Sequence, residues 1–127
     1  MTVTDTFLEE IAKAMNSESY VIPAYQAVGT SGVLVIAASD TALSSEIGSR
    51  VSLSTTRTLN EIEFSGIRSG AVVIDTTNGD DIRSTGMFNT ATESTSDKLL
   101  QGIATNGITQ TTNFDVEFIT NIQWNRR

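Results

Sequence analysis

The residue types that most often carry chemistry are the ones this chain lacks. Its 127 residues include no histidine and no cysteine. That removes Ser-His-Asp and Cys-His nucleophilic sites and the usual zinc and haem ligand sets. Carboxylate chemistry remains, since two carboxyl groups held at different pKa values can act as acid and base. Glu9 and Glu10 point to different sides of a predicted helix, and Asp80 and Asp81 are neighbours on a turn. Neither pair has the burial that would split its pKa values. Asp75-Thr76-Thr77-Asn78-Gly79-Asp80-Asp81 places alternating oxygens before a glycine, as calcium loops do. However, Gly79 falls one place early, and Gly86 stands where the bidentate glutamate belongs. Turn chemistry explains Asn78-Gly79 without a metal. Gly29-Thr30-Ser31-Gly32 is too short for a phosphate loop and lacks its lysine. The expectation is a chain with no catalytic residue, cofactor or metal.

The charge balance narrows the partners. Net charge is −7, carried against only Lys13, Lys98 and six arginines. A phosphate-binding surface needs clustered basic residues, so nucleic acid is excluded as an expected partner. The threefold excess of Arg over Lys favours bidentate carboxylate pairing and interface use. Without cysteine no disulfide staples the fold. The N-terminus lacks the basic and apolar regions of a signal peptide, and the longest apolar run, residues 33–38, is too short to span a bilayer. No membrane is expected, and the chain reads as a soluble product of the cytoplasm.

Positioning requires elements, and here the composition points to sheet. The apolar fraction is 39% and the charged fraction 18%, while Thr and Ser number 19 and 14. Threonine suits a pleated, half-wet surface because its branched Cβ favours extended backbone. The length fits one domain, residues 1–127, with a helix at about 6–15 and a β-rich body at about 21–124. Thr6 and Glu9 form a capping box, and Phe7, Leu8, Ile11, Ala12 and Met15 recur at helical spacing. A strand is predicted over 24–28, and an apolar extended stretch over 33–38. Asp40 reads as the N-cap of a short second helix over 41–47, stopped by Gly48. Two β-rich runs, 51–57 and 61–67, are joined around Leu59-Asn60. A buried strand is predicted at 71–74 and a weak one interrupted by Gly86 at 83–88; residues 98–104 read as a strand or one helical turn, strand being favoured, before an Asn106-Gly107 turn. The clearest strand is the last, with Phe114, Val116, Phe118, Thr120, Ile122 and Trp124 on one face. The fold class expected is mainly β: an antiparallel β-sandwich with an N-terminal amphipathic helix and a short second helix.

With these elements placed, Ala27-Val28-Gly29-Thr30, then Asp40-Thr41-Ala42-Leu43-Ser44-Ser45-Glu46 and Arg50, resembles a group of small tailed-bacteriophage virion proteins. Those carry a v-G-T-G … D-T-x-L-x-x-E … R signature ahead of a hairpin. Gly86-Met87-Phe88-Asn89 is similar to their G-x-F-N segment. The similarity spans about residues 24 to 124, in short and loosely spaced motifs. The chain departs from the group at residues 33–38, which are apolar where the group tends to have a polar loop. Glu46 could pair with Arg50 one turn later on the second helix. The resemblance implies a structural virion protein of the tail, baseplate or fibre attachment. It would be made in the host cytoplasm, assemble with itself and with other virion proteins, and reside in the virion. Head decoration is the alternative within that class, and a carbohydrate-binding β-sandwich module the alternative outside it. The residues expected at an interface are Tyr20, Tyr25, Trp124, Arg126 and Arg127.

Overall fold

A computed structural model describes residues 2–30, 36–43, 45–68, 81–109 and 115–124. Among them the chain is mainly β, with antiparallel sheets and one helix. Strand β1 (Thr2–Val3) leads into helix α1 (Asp5–Met15), followed by β2 (Tyr25–Gly29), β3 (Glu46–Ser52) and β4 (Ser54–Thr58). Then come β5 (Glu61–Arg68), β6 (Ile82–Phe88), β7 (Leu99–Ile108) and β8 (Val116–Gln123). One sheet has the order β1-β7-β6-β2-β3 and the other β4-β5-β8. The chain crosses between sheets at Leu53, whose amide donates to Ala24 O at 2.9 Å. The expected strand at 71–74, the Asn78-Gly79 turn, Phe114 and residues 33–35 of the apolar stretch lie outside the described residues.

The helix begins one residue earlier than its sequence suggests, and its cap lies two residues earlier. The cap is Thr4, not Thr6: its hydroxyl accepts from Phe7 N at 3.2 Å. The same hydroxyl faces Leu99 O at 2.7 Å and Leu100 O at 2.9 Å, so the cap also pins α1 to β7. The buried stripe of α1 is also different. Phe7 and Glu10 are buried, whereas Leu8 and Met15 are exposed. Part of the apolar face therefore turns outward.

The second helix expected over 41–47 is not found among the described residues. Ser45 sits at φ 54, and Glu46 and Ile47 already belong to β3. Local capping signals were overridden because Leu43 joins Ile36, Ala27, Phe88 and Leu99 in a buried cluster, where this segment covers the five-stranded sheet. Gly48 is not a helix stop. At φ 66 it takes a left-handed conformation within β3, at a register shift against β2. Asn106-Gly107 is likewise no terminal turn but lies inside β7, beside a register shift against β6.

Strand β6 looked weak because it is Ile82-Arg83-Ser84-Thr85-Gly86-Met87-Phe88, yet it is the most buried strand. It lies between β7 and β2, so its small polar side chains are shut off from water. Thr85 donates to Ala27 O at 3.0 Å, whereas the buried Ser84 hydroxyl has no hydrogen-bond partner among the described residues. A second buried cluster, Val28 and Ile82 with Ile47, Ile108 and Phe118, links the five-stranded sheet to β8. Close approach between sheets is set at Gly66 of β5. A Cβ there would fall 2.4 Å from Gln26 Oε1 and 3.2 Å from Gln26 Cβ. Gln26 is only 2% exposed and cannot simply swing away.

Gly66→Ala should therefore destabilise the fold by about 1–3 kcal/mol through overpacking. Thermal unfolding should show a fall of several degrees, and adding Gln26→Ala should recover part of it. An unchanged Tm in Gly66→Ala would mean that β2 and β5 do not approach this closely.

Candidate functional site

The most elaborate side-chain arrangement centres on Arg50, whose side chain is 2% exposed. In a regular strand, residues four apart are separated by about 13 Å, too far for a direct ion pair. The bulge at Gly48 shortens that span. Arg50 Nε donates to Glu46 Oε1 at 2.7 Å and Nη2 to Glu46 Oε2 at 3.0 Å. The Glu46–Arg50 pair expected from the sequence is thus present, through a strand bulge rather than a helical turn. Asp97, beyond β6, supplies the second carboxylate: Nη1 meets Oδ1 at 2.7 Å and Nη2 meets Oδ2 at 2.8 Å. Nη1 also donates to Thr90 O at 3.0 Å, and the guanidinium carbon lies 3.8 Å from the Phe88 ring centroid. Burial favours the neutral guanidine, but the bonds to Asp97 and Glu46 outweigh it and raise the pKa of Arg50. Asp97 shows the mirror effect: burial pushes its pKa up, and the bonds from Arg50 and Thr90 bring it below the ordinary value. A shallow cavity of about 330 Å³ opens beside this cluster, walled in part by Ala91, Thr92 and Glu93.

A second ionic centre is Glu10, 2% exposed. Its carboxylate accepts from Lys98 Nζ at 2.6 Å, Val21 N at 2.8 Å and Lys13 Nζ at 2.9 Å. Burial pushes this carboxyl up, yet the bonds from Lys98, Val21 N and Lys13 outweigh it and hold the pKa at about 2. Glu9, its sequence neighbour, is 63% exposed and pairs with Lys13 at 3.1 Å. The two carboxylates do diverge, as their helical spacing requires. A third buried charge, Arg68 of β5, donates from Nη2 to Ser49 O of β3 at 2.8 Å. Burial lowers its pKa, opposed by the charge of Glu46.

What these groups can do chemically is limited by how they are bonded. All five guanidinium N–H donors of Arg50 are directed at Glu46, Asp97 or Thr90. Glu10 has three donors around it. Of the calcium-like loop, only Asp81 is described. It accepts from the Thr109 hydroxyl and lies 3.9 Å from Arg83 Nη2. Among the described residues no group of three or more potential ligands could hold a metal, and no helix is long and apolar enough to cross a membrane.

The expected interface residues fall on separate elements. Tyr20 is 54% exposed and borders an apolar groove of about 330 Å³ with Ile11, Met15 and Ile22. Tyr25 is half-buried in β2, opposite Ser52 and Phe88. Trp124 is 48% exposed at the end of β8, where its amide donates to Asn60 O at 3.0 Å. Arg126 and Arg127 lie outside the described residues. The sequence reading missed Asp97, and it named Glu10 but gave it no burial, whereas Glu10 is buried. For Glu10 a signal existed: it stands three residues after Phe7, so a charge interrupts the inward stripe. No local signal marks Asp97, whose partner is 47 residues away.

No protein-family model, curated protein or solved structure gives a significant match to the chain.

Two outcomes follow from the ionic centres. Arg50→Met leaves two carboxylates without their cation and should cost about 3 kcal/mol, lowering Tm by roughly 10–15 °C. Replacing Glu46 and Asp97 by leucine in that background should restore much of the loss. Glu10 has a folded pKa below its ordinary 4.5, so its contribution is complete above that pH and fades as pH falls towards about 2. Glu10→Gln should be less stable at neutral pH, with a shallower loss of stability across that window in urea titrations. Parallel acid profiles for the two proteins would refute the assignment.

Proposed function

We propose that this chain is a non-catalytic structural protein of a tailed virus. It would be built into the tail, baseplate or fibre attachment through contacts with itself and other virion proteins. In this reading the two sheets form a β-sandwich carrying its helix at one side, and neither nucleic acid nor a membrane is a partner. The single observation that carries the proposal is where the polar and apolar groups have gone. The buried ionic groups are bonded within the fold, whereas Met15, Tyr20, Ile22, Ile67, Ile119 and Trp124 are each about half exposed or more. Apolar side chains left at a surface while charges are internalised suit a protein whose outer faces meet other proteins. The resemblance to small tailed-bacteriophage proteins points to the same class.

Quantitative mass spectrometry of purified particles of the virus encoding this chain is the direct test. About a dozen copies or fewer per particle are expected, in keeping with tail symmetry. Hundreds of copies would replace the tail reading with head decoration. Absence from the particle would overturn the virion assignment altogether.

A further inference from the structure

We propose that β8 is the docking strand for a second copy of this chain, pairing antiparallel with its counterpart about a two-fold axis through Thr120. The inference deepens the assembly reading above and rests on it. Natural sheets blunt their free edges with shortness, charge or bulges. Among the described residues there are four edge strands, and three carry such a device. β1 is two residues long. β3 is kinked at Gly48, φ 66, and shifted in register against β2. β4 is Ser-Thr-Thr-Arg-Thr, exposed throughout, with a charge in the strand.

β8 is neither short nor bulged, and it carries one charged residue, Glu117. It is eight residues long and paired along its full length with β5, from Glu61↔Gln123 to Arg68↔Val116, without a register shift. Its opposite edge meets no strand among the described residues. Its charged residue at the edge, Glu117, is drawn back towards β5 by the Ser65 hydroxyl, which donates to it at 2.6 Å.

The sequence of β8 is also self-complementary when read against itself. With Thr120 opposite Thr120, Phe118 meets Ile122 on the half-buried face, and Val116 meets the exposed Trp124 just past the strand. On the exposed face Glu117 meets Gln123 and Ile119 meets Asn121. No like charges oppose each other, and apolar cross-strand pairs of this kind stabilise a sheet. Joining two copies this way would make one continuous six-stranded sheet, an isologous contact that closes on itself.

Because the chain has no cysteine, a single one reports cleanly. Directly opposed residues in antiparallel strands have Cα atoms about 5 Å apart, within disulfide reach. Thr120→Cys should therefore oxidise rapidly to a covalent dimer on non-reducing gels, while Thr56→Cys on β4 should not. Light scattering should give a dimer for the unmodified protein. The exposed pair Ile119→Lys with Asn121→Lys should weaken that dimer roughly tenfold by opposing like charges, whereas Ile119→Glu with Asn121→Lys should retain it. A monomer at high concentration, a Thr120→Cys protein that cross-links no faster than Thr56→Cys, or a dimer indifferent to these charges would each overturn the β8 pairing. If the protein is found in particles while β8 fails these tests, the assembly reading stands and only this contact falls. If β8 pairs but particles lack the protein, the reverse holds.

Discussion

Burying the charge of Arg50 requires that each of its donors be met, and here all of them are. Its guanidinium joins the bulged β3 to the connection between β6 and β7 through Glu46, Asp97 and Thr90, above the ring of Phe88. Geometry and electrostatics are inseparable here. Without the left-handed Gly48 the two ends of Glu46-Ile47-Gly48-Ser49-Arg50 would stand too far apart to pair. Without the pair, the cation would keep Asp97 as its one carboxylate, with Thr90 beside it. A chain with 19 threonines and 14 serines has little apolar mass with which to fill its interior, and bonded polar groups take that place.

The same logic recurs at smaller scale. Thr4 caps α1 and bonds to β7 with one hydroxyl, and Thr85 satisfies Ala27 O from the middle of the most buried strand. Arg68 reaches from β5 to Ser49 O of β3. Each bond joins elements distant in sequence, so the interior is held by directional contacts as much as by area. The apolar residues released from that task are then available at the surface. This links the ionic interior to the proposed role in assembly.

How far the fold could be read in the sequence depends on where the deciding partner lies. β8 alternates along its length and β5 over Glu61-Ile62-Glu63-Phe64, and the β4–β5 hairpin is marked by Leu59-Asn60 between two β-rich runs, so these elements were legible from local pattern. The stretch Asp40-Thr41-Ala42-Leu43 carries convincing helix-start chemistry, yet Leu43 is needed against Phe88 and Leu99, and packing prevailed over propensity. β6 was underestimated because its serine, threonine and glycine look like loop composition until they are seen between two neighbouring strands. At the candidate site, Glu46 and Arg50 were legible because they are four residues apart. Asp97 and Lys98 were not, since nothing near them announces partners 47 and 88 residues away.

The Glu10 centre has a consequence for handling the protein. The chain possesses two ε-amines, Lys13 and Lys98, and both grip one buried carboxylate. Reagents that acylate or carbamylate amines, including cyanate in aged urea, would neutralise part of the clamp holding α1 to the start of β7. Fluorophores, tethers or cross-linkers aimed at lysine would thus act on the architecture itself. Attachment through an introduced surface thiol leaves that clamp intact.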